Sequence, residues 1–200
     1  MAEYEVVVVG ASAGALDALQ RWLPLLPATF PSAIVIVVHL LPGHASMLAE
    51  LLQKNCPLQV KEADDKEPLL AGTVYCAAPN YHLLIESDGH LNYSVDDPVR
   101  GSRPSIDVLF ASAADALREK VIGVVLTGAN DDGAKGLQKI VREGGRAFVQ
   151  SPAEAHASAM PLAALEACPE ATVVPLAQLA EVLEQVTQPA KNKHQIEKPV

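Results

Sequence analysis

The chain has 200 residues, half of them apolar, and a formal net charge of -9 at pH 7. That length and apolar content suit one domain with a full core and argue against general disorder, and the acidic balance argues against a nucleic-acid-binding surface. The widely spaced Cys56, Cys76 and Cys168 form no CxxC pair, which disfavours a disulfide scaffold or a structural zinc site and fits a reducing compartment.

Residues 6–9 (VVVV) read as a buried strand that runs into Gly10-Ala11-Ser12-Ala13-Gly14, a turn that opens an apolar helix. No signal-peptide pattern precedes it, and no apolar run of the chain is long enough to cross a bilayer, so a cytoplasmic location is expected. The turn fits G-x-S-x-G, a pattern that lifts a serine hydroxyl onto a strand-to-helix corner, where unpaired helix N–H groups gather. Leu16, Leu19, Trp22, Leu23 and Leu26 follow at helical spacing, and Pro24 and Pro27 end that helix. Residues 33–38 form a second apolar strand, as expected of one covered on both faces, and it ends at His39. The segment 44–54 then reads as a helix with His44 at its start and Met47, Leu48, Leu51 and Leu52 on its apolar side.

The middle of the chain changes character. Short strands at 58–61, 73–77, 82–86 and 90–95 are separated by Asp, Gly and Pro, and Ser87-Asp88-Gly89 is a hairpin signal. This stretch is expected to form an antiparallel excursion on an otherwise parallel fold. Cys76 within it reads as a buried small hydrophobe, and Tyr81 and His82 as packing and rim residues. Residues 96–104 (DDPVRGSRP) form a polar loop. Beyond it, 105–120 is a helix with Val108, Leu109, Ala113, Ala116 and Leu117 as its buried stripe. Then come an apolar strand at 121–126, a polar turn at 127–133 and a helix to residue 143. Strand 146–150, helix 161–167, strand 171–174 and helix 176–186 complete a domain spanning 1–187, with 188–200 as a flexible tail. Strands alternating with helices predict a doubly wound α/β fold with a mainly parallel sheet.

In open parallel sheets the working residues lie beyond the carboxyl ends of the strands. Three such ends here carry Ser12, His39 and the pair Asp131-Asp132. Serine becomes a nucleophile when a neighbouring base takes its proton, histidine is the base suited to neutral pH, and a carboxylate on the far ring nitrogen fixes the tautomer. Each residue alone also reads as a helix cap, a strand-end histidine or a turn residue; their common edge favours a serine hydrolase. A dinucleotide or phosphate site fits poorly, because GASAGA is not G-x-G-x-x-G, no acidic residue follows the second strand and no GxxxxGK[ST] occurs. Pro42-Gly43 breaks any helix between His39 and His44, so no metal site is expected there.

The stretches GASAGALDAL (10–19), VVHLLPG (37–43), VKEADDKEPLLAGTVYCAAPNYHLLI (60–85), RPSIDVLFASAA (103–114) and GVVLTGANDDGAKGLQKIVREGGRAFVQ (123–150) together resemble the catalytic domain of the bacterial chemotaxis protein-glutamate methylesterase family, usually called CheB. The resemblance implies hydrolysis of glutamate methyl esters on the cytoplasmic domain of a methylated chemoreceptor, deamidation of receptor glutamines in many members, and no metal or cofactor. It places the nucleophile at Ser12, the base at His39, the acid at Asp132 and a backbone oxyanion donor at Ala129, with the amide of Ala13 as its companion. Gly10, Gly14 and Gly133 then fall on turns, Thr127 orients the acid loop through its hydroxyl, and Gly128 permits that loop's turn. Arg100 and Arg103 are substrate-cleft candidates, suited to an acidic receptor surface.

The sequence also departs from the family pattern. Ala13 stands where a threonine follows the nucleophile, Ala15 replaces a glycine, and Ala129-Asn130 replaces Met-Gly, which removes one flexible position from the acid loop. Typical members carry an N-terminal receiver domain; this chain reads as free-standing, controlled by a separate regulatory or kinase protein, with neither nucleic acid nor membrane insertion in its function. A non-catalytic adaptor that kept the hydrolase fold and a general small-ester hydrolase are the alternatives.

Overall fold

The computed structural model describes residues 4–39 and 47–188. The expected start of the 44–54 helix, including His44, and the tail from 189 lie outside the described residues. In chain order the elements are β1 (Val6–Ala11), α1 (Ala15–Trp22), β2 (Ala33–Val38), α2 (Leu48–Gln53), β3 (Gln59–Glu62), β4 (Thr73–Cys76), β5 (His82–Ile85), β6 (Leu91–Ser94), α3 (Ile106–Leu117), β7 (Val121–Val125), α4 (Ala134–Arg142), β8 (Arg146–Gln150), α5 (Ala159–Ala167), β9 (Thr172–Val174) and α6 (Leu176–Thr187).

Seven strands form one parallel sheet in the order β3-β4-β2-β1-β7-β8-β9. β1, β2 and β7 are buried along their whole length, which is why their sequences are apolar without alternation. On one face, Leu19, Trp22, Leu52, Leu176, Leu179 and Leu183 bring α1, α2 and α6 against the sheet. On the other, Ile106, Phe110, Leu137, Ile140 and Met160 do the same for α3, α4 and α5, and Leu83 and Leu91 attach the β5–β6 hairpin.

The antiparallel excursion is narrower than expected. Among the strands of the described residues only β5 and β6 pair antiparallel, while β3 and β4 join the main sheet as parallel strands. In β3 only Val60 is fully buried among Gln59, Lys61 and Glu62. An edge strand covered on one face alternates just as a hairpin strand does. The buried stripe of α3 also differs: Ile106, Leu109, Phe110, Ala113 and Ala114 face the core, and Val108, Ala116 and Leu117 are half-buried. The helix begins with its first residue already under the sheet, which rotates the stripe.

β1 is flanked by β2 and β7, strands far apart in sequence, so the direction of winding reverses beside it. Ligands of such sheets bind where the order reverses, outside the carboxyl ends. Register sets the level: Ala11 lies opposite Val38, and Gly10 lies opposite Val125. The chain therefore leaves three adjacent strands together, at Ser12, His39 and the turn that begins with Leu126 and Thr127. Among the described residues no helix is long and apolar enough to cross a membrane, and no cluster of metal-ligating side chains occurs. The three cysteines are free and buried.

Candidate active site

The β1–α1 corner presents Ser12. Its amide donates to Thr127 O at 2.9 Å and its carbonyl accepts from Ala15 N at 2.9 Å. Gly14, at φ 80° and ψ 7°, turns the strand into the helix in the left-handed region that a side chain disfavours. The half-buried Ser12 hydroxyl has no hydrogen-bond partner among the described residues.

His39 follows β2, and its amide donates to Ala11 O at 3.3 Å. Its Nε2 lies 2.8 Å from Asp132 Oδ2. Asp132 is 2 % exposed, yet its carboxylate is fully engaged at the start of α3. Oδ2 also accepts from Ile106 N at 2.8 Å, and Oδ1 accepts from Asp107 N at 2.9 Å and Ser105 Oγ at 3.0 Å. The first-turn amides of a helix have no partners within the helix and carry its positive end, so they suit an anion. Burial pushes the Asp132 carboxyl up, but hydrogen bonds from His39 and from the Asp107 and Ile106 amides outweigh it and hold it below the usual carboxylate value. An ionised carboxylate only accepts, so Nε2 carries the ring proton and Nδ1 presents a lone pair.

That lone pair faces Asn130, whose Nδ2 lies 3.3 Å from His39 Nδ1. Asn130 Oδ1 accepts from Asp132 N at 3.2 Å, which fixes the amide the other way round, NH2 towards the ring. The nitrogen that meets the carboxylate is the opposite one from the Ser-His-Asp template, where Nδ1 faces the aspartate and Nε2 the serine.

The Thr127 hydroxyl ties the Ser12 corner to the segment that precedes α5. Oγ1 donates to Ala13 O at 2.7 Å and accepts from Ala157 N at 2.9 Å, and its amide donates to Gln150 Oε1 at 2.9 Å. Gly128 N donates to Ala157 O at 3.0 Å, and Gly128 O accepts from Met160 N at 2.9 Å. The amides of Ala13 and Ala129 have no acceptor among the described residues. Gly10 and Gly133 lie against Ile106, where a Cβ would stand 2.3 Å and 2.6 Å from its Cγ2. Both glycines let the start of α3 approach closely enough to reach Asp132.

The arginines have partners within the chain. Arg103 Nη1 donates to Val95 O at 2.8 Å and Asp96 O at 3.0 Å, holding its own loop. Arg100 pairs with Asp131 at the rim, and its guanidinium holds that carboxyl below the usual value. His82 is buried: its Nδ1 accepts from Ser105 N and its Nε2 donates to Asp97 O, each at 3.2 Å, so it braces the residue that touches Asp132. Tyr81 lies at the surface beside Tyr93, ring centroids 5.4 Å apart.

Sequence reasoning missed Ser105, Gln150 and the direct part of Asn130. Ser105 stands where a helix cap is expected, a visible signal, but its hydroxyl reaches Asp132 rather than its own helix. No local pattern marks the other two.

A sequence profile described as CheB methylesterase matches residues 7–183. A Leptospira interrogans protein named putative protein-glutamate methylesterase/protein-glutamine glutaminase is 46 % identical over 179 residues, covering 90 % of this chain and 93 % of that protein. The protein-glutamate methylesterase FrzG of Myxococcus xanthus is 35 % identical over 182 residues, covering 91 % of this chain and 54 % of that protein, so the chain spans about half of its length. The crystal structure of the Thermotoga maritima CheB methylesterase catalytic domain superposes with a TM-score of 0.88 at 32 % identity, covering 92 % of this chain and 99 % of that one.

Proposed function

The chain belongs to the CheB methylesterase family, and from that premise we propose that it hydrolyses glutamate methyl esters on a chemoreceptor through Ser12, His39 and Asp132. The observation that carries this reading is the 2.8 Å contact of His39 Nε2 with a buried, anionic Asp132, one strand away from the Ser12 corner.

The reaction is acyl transfer in two halves. Ser12 Oγ attacks the side-chain ester carbonyl while His39 Nδ1 takes its proton. The imidazolium is stabilised by Asp132, which α3 keeps ionised. The tetrahedral oxyanion is met by the amides of Ala13 and Ala129, and the absence of any acceptor for either among the described residues supports that role. His39 returns the proton to the departing methanol. Water, deprotonated by the same nitrogen, then releases the glutamate carboxylate and Ser12. With a glutamine side chain the same steps release ammonia, in keeping with the glutaminase half of the Leptospira protein's name. Arg100, at the rim, is the side chain proposed to meet acidic receptor surface; its exposed pairing with Asp131 is the kind that exchanges readily.

The test is methanol release from methylated receptor in membranes. The protein is expected to release it and Ser12→Ala to release none. Binding without turnover would favour an adaptor, and turnover of small esters alone would favour a general esterase; either would overturn the proposal.

A further inference from the structure

We propose that the Asn130 side chain is a latch on the base: it holds the His39 Nδ1 lone pair in the resting protein and must let go before Ser12 can be deprotonated. The inference rests on the reading of Ser12 and His39 as nucleophile and base.

An imidazole nitrogen has one lone pair in the ring plane and accepts one good hydrogen bond. Nε2 is committed to Asp132, so Nδ1 is the only site that can take the serine proton. Its partner is Asn130 Nδ2 at 3.3 Å, and the Ser12 hydroxyl has none among the described residues. The amide reaches the ring by construction. Its oxygen is anchored on Asp132 N, so the NH2 cannot turn round without losing that bond. On either side the loop is fixed, by Gly128 on Ala157 and Met160 and by Asp132 at the start of α3.

The latch therefore does two opposed things. It reinforces the tautomer that the base needs, and it occupies the atom through which the base works. Asn130 is exposed, and the bond it makes to the ring is long and uncharged, so it gives way to a closer donor. Ser12 becomes that donor when its hydroxyl turns towards Nδ1 and the amide moves aside.

The experiment compares the protein with Asn130→Leu, which keeps bulk and removes the NH2, and with Asn130→Gly, which removes both. One readout is the rate at which a small organophosphonate labels Ser12 with no receptor present. The other is the nitrogen-15 resonance of His39 Nδ1, which reports whether its lone pair accepts a hydrogen bond. Both variants are expected to label about 2- to 10-fold faster, the rate equivalent of one ordinary hydrogen bond, and to shift the Nδ1 resonance towards that of a free lone pair. Asn130→Gln, which restores an NH2 on a longer arm, is expected to lie between them and the parent. Labelling that is lost in Ser12→Ala but is no faster in Asn130→Leu and Asn130→Gly overturns the latch alone. Labelling that survives Ser12→Ala overturns the nucleophile, and the latch with it.

Discussion

Asp132 accepts from His39 Nε2, Ser105 Oγ and the amides of Ile106 and Asp107. Its folded-state pKa lies below the ordinary value because those bonds outweigh burial. A group depressed in this way contributes stability that is present above its unfolded pKa of about 4 and is lost as pH falls through the folded value. Asp107 has the opposite sign: burial raises its carboxyl, so its share is present at low pH and fades as pH rises through the raised value. Asp132→Asn is expected to flatten the acid loss of stability, read as denaturation midpoints from pH 6 downwards. It also presents an NH2 to Nε2, which moves the ring proton to Nδ1 and removes the base. Ester turnover is expected to fall on the order of 10^3- to 10^4-fold, and an activity near the parent's would show that Asp132 does not orient the ring. The placement of Ser12, His39 and Asp132 beyond the ends of β1, β2 and β7 was legible in the sequence because each follows a strand that composition alone identifies. Asn130 was not, because its importance lies in where a side chain reaches across 91 positions to His39.

At the scale of elements, the contact that matters is the start of α3 against β1 and the acid loop. Gly10 and Gly133 leave the space that Ile106 fills. Gly10→Ala puts a methyl into Ile106 Cγ2 and is expected to cost about 1–3 kcal/mol. Ile106→Ala opens a cavity and costs about 2–5 kcal/mol. Because the two side chains compete for one volume, the double variant is expected to be more stable than the sum of the singles; strict additivity of the unfolding free energies would sink this account. The sequence showed where α3 lies, but the docking of its amides on Asp132, 25 and 26 positions away, has no local signature. The same limit explains β3 and β4. Whether a short strand pairs with its successor or inserts beside β2 depends on partners, not on its own alternation, and Val60 between Gln59 and Lys61 fits both.

For the whole molecule, alternating strands and helices sufficed to predict two helical layers about a parallel sheet, because a strand buried on both faces must be apolar throughout. The strand order was not legible, yet it is what gathers the loops after β1, β2 and β7 at one end. β1 spans Val6–Ala11, so its entry and exit are separated by about 20 Å at roughly 3.3 Å per residue. A module spliced on ahead of Tyr4 would thus emerge at the pole opposite Ser12. Joined by a stub of a few residues it could not shade the working end, and small-ester turnover should be untouched; only a tether long enough to climb the flank of the sheet would let such a passenger act as a removable hood.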